Sequence, residues 1–253
     1  MAAESASKPK SAAAKSKPTP KSNAKARGDE AKSRRRPTKI QQRADKMEQI
    51  LDAAEYLFSK HGLHGVTLKD VAKRVDAHHT LMNYYFTDKT TLFAAVFARR
   101  AAVTSALRLA ALDKYDAETK GKPTVEGALR AFLDTDLDLY SRGGEGWKNY
   151  GALGAQASNT AEGAALMDQH FDPVVLRLIG LLKKAMPDCA EEDIFWGYHF
   201  VTGALMLTLA RTGRIDRLSG GLCKSDDYEA IKKRMAQFMA AGFRDLCKRS
   251  KLG

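Results

Sequence analysis

Several of the commonest signatures of chemistry are missing from this sequence. It holds no CxxC pair, no Gly-x-Ser-x-Gly, no phosphate loop ending in Lys-Ser/Thr and no HExxH, so hydrolase, nucleotide-binding and zinc-protease readings lose their usual support. GALGA at 151–155 follows no strand, and GGEGWKN lacks the ending of a phosphate loop. Cysteine is scarce: Cys189, Cys223 and Cys247 are an odd number at wide spacings. That pattern argues against a disulfide framework and for ordinary thiols in a reducing compartment, with a redox sensor as the other reading. There is no apolar run at the N-terminus, so no secretory signal is expected. The longest uncharged stretch, IFWGYHFVTGALMLTLA at 194–210, is marginal for a bilayer and suits a buried helix better. No run of alternating β-branched residues occurs either, and the fold class expected is all-α.

The first 39 residues lack valine, isoleucine, leucine, phenylalanine, tyrosine and tryptophan altogether, and hold four of the seven prolines. A segment with nothing to bury cannot offset its ordering entropy, so residues 1–42 read as a disordered basic tail. Its Ala/Lys/Ser/Pro texture is similar to DNA-compacting tails. An organellar transit peptide is the rival reading, disfavoured because Lys outweighs Arg before residue 30. Twelve of the 42 Lys/Arg and only three of the 30 Asp/Glu fall in residues 1–40. Most of the net charge of +12 therefore belongs to the tail, and an anionic partner is implied: nucleic acid first, a membrane surface second.

From Arg43 the pattern is helical throughout. Met47, Ile50, Leu51, Ala54, Leu57 and Phe58 make one apolar face, and Gly62 ends it. Thr67 is a natural N-cap with Asp70 three residues on, an imperfect capping box before Leu68, Val71, Ala72 and Val75. Val75-Asp76-Ala77 interrupts, and a third helix begins near His78. Asp88 caps a fourth helix expected to reach about Asp113. Further helices are expected from Pro123-Thr124 to Arg142, from Trp147, from Asp172-Pro173, from Glu191 and from Asp226, with 214–225 as a loop.

Two short helices joined by a three-residue turn and braced by a longer one form the helix-turn-helix plan. Val71 and Val75 would lock against Met82 and Phe86, although Leu81 could exchange with Met82 on periodicity alone. Asp76 tolerates the left-handed conformation such a turn often needs. With Met82 and Phe86 inward, Thr80, Leu81, Asn83 and Tyr84 point outward behind His78 and His79. A His-His pair is commonly just a polar surface, and neighbours diverge on a helix, so no metal is expected there. His61 and His64 are separated by the helix-breaking Gly62, and no cofactor is expected.

The span from Arg43 to Arg100, above all GVTLKDVAKRVDAHHTLMNYYFTDKTTLF, resembles the DNA-binding domain of TetR-type (TetR/AcrR-like) bacterial transcriptional regulators. Asp76 stands where that family usually has Gly, and Asn83 where it usually has Tyr. The resemblance implies that Thr67 caps its helix and touches a phosphate, and that His78, His79, Thr80 and Asn83 face bases. It further implies that Tyr84 and Tyr85 donate hydroxyls to the backbone and that Lys89 clamps a phosphate. Domains at 43–103 (DNA binding) and 104–253 (effector binding and dimerisation) follow from it.

The resemblance also implies an unidentified small-molecule effector, and a homodimer through helices at about 191–211 and 226–248. Interface candidates are Ile194, Phe195, Val201, Leu205 and Leu209 in the first, and Ile231, Met235, Phe238, Met239 and Phe243 in the second. Candidate effector-pocket residues by type are Phe132, Tyr140, Trp147, Tyr150, Trp196, His199 and Met206, each of which could equally be ordinary core. Asp134, Asp136 and Asp138 read as a solvated surface, and no catalytic set stands out. The function expected is a cytoplasmic, nucleoid-associated repressor that binds double-stranded DNA at a palindromic operator and leaves it when an effector binds. The competing reading is a nonspecific DNA-compacting protein driven by the tail.

Overall fold

The computed structural model describes residues 38–249, and all ordered elements among them are helices. The basic tail lies outside the described residues, except that the first helix already begins at Lys39. In chain order the helices are α1 (Lys39–His61), α2 (Leu68–Arg74), α3 (His79–Tyr85), α4 (Lys89–Glu118) and α5 (Val125–Arg142). Then come α6 (Glu145–Ala157), α7 (Ala161–Ala185), α8 (Glu191–Ala210), α9 (Arg214–Leu218) and α10 (Tyr228–Arg249). No described helix is long and apolar enough to cross a membrane.

Side-chain caps set most of the starts. Thr38, Asp88, Thr124 and Thr160 accept the backbone N–H three residues ahead, opening α1, α4, α5 and α7. Each satisfies one of the donors that a helix start otherwise leaves unpaired. Several boundaries depart from expectation, α4 among them, which runs to Glu118 and not to about Asp113. α7 begins at Ala161 and runs straight through Pro173, where the sequence suggested a start. Pro173 is exposed while Val174 and Leu178 are buried, so the lost N–H falls on the solvent side and packing carries the helix across. The expected loop at 214–225 contains the short α9, entered through left-handed Arg211 and Gly213 (φ 44° and 66°).

α4 joins the two halves of the molecule. Its 30 residues run without a break through residue 103, so the expected domain boundary falls inside a helix. Leu92, Phe93 and Val96 enter the core shared with α1–α3, and Phe97, Arg108 and Leu112 face the body. Arg99 and Arg100 on α4 grip Glu55 of α1, which is 2 % exposed; Arg99 also reaches Glu48 and Asp52. Gln156 of α6 donates to the Ser59 carbonyl of α1 at 2.9 Å. Head and body are thereby tied at three levels.

The expectation of free thiols is corrected. Cys189, in the α7–α8 turn, is disulfide-bonded to Cys247 near the end of α10 across 58 residues of sequence, whereas Cys223 is free and exposed. Wide spacing hides a pair that only the return of α10 to the α7–α8 corner brings together.

The pairing of α8 with α10 redistributes the expected interface residues. Ile194, Val201, Leu205, Leu209 and Phe243 are buried within this one chain. A Cβ on Gly197 would lie 2.2 Å from the Phe243 ring, so this glycine lets the two helices of the same chain meet. Of the expected residues Phe195 and Phe238 are exposed, the latter 74 %, and Trp196, Phe200 and Leu207 of α8 are exposed with them.

Candidate nucleic-acid interface and ligand cavity

The α2–α3 unit is built as its residues require. Thr67 and Asp70 form a complete capping box: the Asp70 N–H donates to Thr67 Oγ1 (3.2 Å), and the Thr67 N–H donates to Asp70 Oδ2 (2.9 Å). The Thr67 hydroxyl also donates to that carboxylate at 2.6 Å, and these bonds hold Asp70 below the usual carboxylate range. Asp76 takes φ 48°, and the Ala77 N–H returns to the Ala72 carbonyl at 3.0 Å. The turn is thus closed by a non-glycine residue of the type that tolerates the left-handed region.

Met82, not Leu81, is the anchor. It is fully buried with Val71, and Phe86 is 5 % exposed, while Leu81 is only partly covered. His78 caps α3, its side chain accepting from the Thr80 N–H at 3.4 Å and meeting the Thr80 hydroxyl at 2.8 Å. The structure places Thr67, His78, His79, Thr80, Asn83 and Tyr84 on the surface; Tyr85 and Lys89 are half-buried. His78 and His79 lie ring to ring at 4.5 Å, which keeps both imidazoles together at the start of α3.

Two basic residues of α1 join this face. Arg43 donates to the Tyr84 hydroxyl at 2.7 Å, and its bonds to Tyr85 and Tyr84 push its pKa further up. Lys46 donates to the Val75 carbonyl at 2.8 Å, closing the turn between α2 and α3. The sequence carried a weak signal for both, since they are cationic positions on the early turns of the bracing helix. Only the fold puts them beside α3.

A separate cavity of about 120 Å³ lies among α4, α5, α6, α7 and α8. Six aromatic rings line it: Phe97, Phe132, Tyr140, Tyr150, Phe171 and Tyr198. Of the residues expected by type, Phe132, Tyr140, Tyr150 and Met206 face this space, and Trp147, Trp196 and His199 do not. Trp147 sits under the Arg100 guanidinium, 4.9 Å from its ring centre. Trp196 and His199 are exposed on the outer face of α8, where Trp196 stacks on Phe200. Indole and imidazole types could not show which side of α8 they occupy.

The cavity also holds what type-based reasoning missed, a buried ion pair. Arg108 of α4 and Asp136 of α5 are 5 % and 3 % exposed, with Nη2 and Oδ2 3.2 Å apart. The expectation that Asp136 belongs to a solvated carboxylate face is therefore corrected. A signal existed: Arg108 continues the buried series Phe97, Ala101, Thr104 and Leu112, and Asp136 stands midway between Phe132 and Tyr140. A charge on an apolar helix face is the legible mark of a polar interior. The guanidinium lies 3.9 Å over the Phe132 ring and its Nε–H donates to the Phe132 carbonyl at 3.2 Å. Burial raises the Asp136 pKa, opposed by Arg108, and raises those of Tyr140 and Tyr150, which remain neutral O–H groups. No group of three or more His, Cys, Asp or Glu suited to a metal ion is found among the described residues.

Comparison with known proteins agrees with both halves. Residues 50–96 match the sequence model described as bacterial regulatory proteins of the tetR family, and residues 130–242 match the tetracyclin repressor-like C-terminal domain. No curated protein matches the chain. Among solved structures, the chain is similar to the fatty acid degradation regulator FadR from Bacillus halodurans. The TM-score is 0.54 at 16 % identity, covering 79 % of this chain and 96 % of that one. It is also similar to the TetR family transcriptional regulator PfmR from Thermus thermophilus (TM-score 0.52, 15 % identity, 84 % and 97 % covered). A third is the hemolysin II transcriptional regulator HlyIIR (TM-score 0.51, 17 % identity, 76 % and 97 % covered). With a capped and locked helix-turn-helix, a helical body around a lined cavity, and family matches over both, this chain belongs to the TetR family of DNA-binding transcriptional regulators.

Proposed function

We propose that the protein is a homodimeric repressor that binds a palindromic operator through α3 and is released by a small molecule bound in the α4–α8 cavity. The observation that carries the DNA-reading part is the α3 surface. His79, Thr80 and Asn83 are exposed on a helix whose opposite side is held by fully buried Met82. Hydrogen-bonding side chains on a fixed helix can read base edges in the major groove, and asparagine suits adenine. Thr67, Tyr84, Tyr85 and Lys89 would hold the phosphates on either side, with Arg43 beside them.

Dimerisation is supported by the uncovered apolar face of Trp196, Phe200, Leu207 and Phe238. Two α8–α10 pairs would bury it as a four-helix interface, and a two-fold axis would set two α3 helices on successive turns of a palindrome. Coupling is supported by α4, which lines the cavity with Phe97 and Arg108 and enters the head core with Leu92 and Val96. A ligand that prefers the conformer with mispositioned heads shifts the population away from DNA by its differential affinity.

The test is selection of bound fragments from random DNA by the full chain at moderate salt. An enriched palindrome is expected, and Asn83→Ala or His79→Ala should relax preference by about 1–3 kcal/mol per lost base contact. Uniform recovery with steep salt dependence would favour the compacting reading, in which the basic tail supplies affinity by counterion release.

A further inference from the structure

We infer that the ligand of the α4–α8 cavity is a small uncharged molecule of about one ring, bearing a hydroxyl that bridges Arg108 and Asp136. This rests on the reading of that cavity as the effector site and adds the chemical class. The first observation is the state of the ion pair. Arg108 Nη2 and Asp136 Oδ2 are 3.2 Å apart, yet Arg108 Nη2 and Asp136 Oδ1 are buried without a hydrogen-bond partner. The charges are matched but not fully bonded, leaving one donor and one acceptor open side by side. A single hydroxyl satisfies both, accepting from Nη2 and donating to Oδ1. Of the five buried side-chain atoms without a hydrogen-bond partner among the described residues, these two lie together in the cavity wall, and their placement there is what points to a guest.

The second observation is the charge around the space. Among the described lining residues Arg108 is the single cation, against Asp136 inside and the exposed Asp168 and Asp172 of α7. A carboxylate guest would meet three aspartates, and an ammonium guest would be placed against a guanidinium that already neutralises Asp136. A neutral guest meets neither opposition and loses no charge hydration on entry. The third observation is size and wall. About 120 Å³ bounded by six aromatic rings approaches the roughly 150 Å³ apolar cavity that admits benzene. Phenol-like molecules satisfy all three.

Calorimetric titration of the full-length protein, free of DNA, with phenol, toluene, benzoate and benzylammonium tests the class, because the four share a ring and differ in head group. Phenol is expected to bind at least about ten-fold more tightly than the other three, as one or two hydrogen bonds to charged groups allow. Asp136→Asn should remove most of that preference, since the amide keeps the volume of the side chain but not its charged acceptor. Equal binding of toluene and phenol, tighter binding of benzoate or benzylammonium, or no heat with any of the four in wild-type protein would each overturn the inference. None of these wild-type results depends on the variant folding. Operator release is measured separately. Phenol that binds without lowering operator affinity keeps the ligand class and refutes ligand release; an operator that is selected although no probe binds does the reverse.

Discussion

Glu55→Gln is the sharpest test of how the head is attached to the body. Glu55 is 2 % exposed and accepts from Arg99 Nη2 at 2.9 Å, Arg100 Nε at 2.5 Å and Arg100 Nη2 at 3.0 Å. Both arginine side chains are under a fifth exposed, so solvent screens these bonds only in part. Glutamine keeps the shape and one acceptor but turns an N–H₂ group toward one guanidinium. Arg99 retains Glu48 and Asp52 at the surface, whereas Arg100 has no second carboxylate within bonding distance among the described ion pairs. The loss is then one to two charge-assisted bonds, about 2–4 kcal/mol. In a domain of this size that lowers Tm on the order of 10 °C. Urea unfolding followed by far-UV circular dichroism gives the free energy, with exposed Glu48→Gln as a control expected to stay within about 0.5 kcal/mol. A Glu55→Gln protein as stable as the control would show that the α1–α4 joint is held by apolar packing alone, and the reasoning would be refuted.

Gly197→Ala should cost about 1–3 kcal/mol by overpacking, because its Cβ would meet the buried Phe243 ring at 2.2 Å; an unchanged urea midpoint would mean that α8 and α10 separate without cost. Thiol titration of protein prepared without reductant should find Cys223 alone, and all three cysteines after reduction in denaturant; three reactive thiols at the outset would contradict the pairing. Acid should destabilise the fold. Asp70, Asp88 and Asp116 are held low by Thr67, by the Thr91 backbone N–H, and by Lys184 with Arg177 respectively. Their contribution is complete above the unfolded aspartate value of about 3.9 and is lost as pH falls through their depressed values. Asp134 and Asp136 are raised by burial, so they act oppositely, favouring the fold as pH falls toward that value from above. Unfolding midpoints should therefore fall only below about pH 4, and a midpoint that declines steadily from neutrality would contradict these signs.

Local chemistry made much of this protein legible in advance. Caps at Thr67 and Asp88, the helical spacing of Val71 with Val75 and of Met82 with Phe86, and the left-handed tolerance of Asp76 are short-range effects, so the helix-turn-helix could be read before any fold was known. The all-α class follows equally from periodicity. Other features depend on which segments meet. Leu81 and Met82 are adjacent and similarly apolar, and only the packing of α3 in the head core buries one of them. Trp196 and Phe132 are both aromatic residues on helices, yet one faces outward and the other a cavity, because sequence spacing does not say which side of a helix its neighbours will cover. Cys189 and Cys247 pair because α10 returns to the α7–α8 corner. Arg108 and Asp136, 28 residues apart in the chain, become a buried pair because α4 and α5 pack against each other. Residue type and spacing determined most of the helices and the polar outer side of α3; long-range packing decided which apolar side chains of α8 and α10 stay exposed, the disulfide and the chemistry inside the cavity, since those are properties of residues brought together from distant parts of the chain.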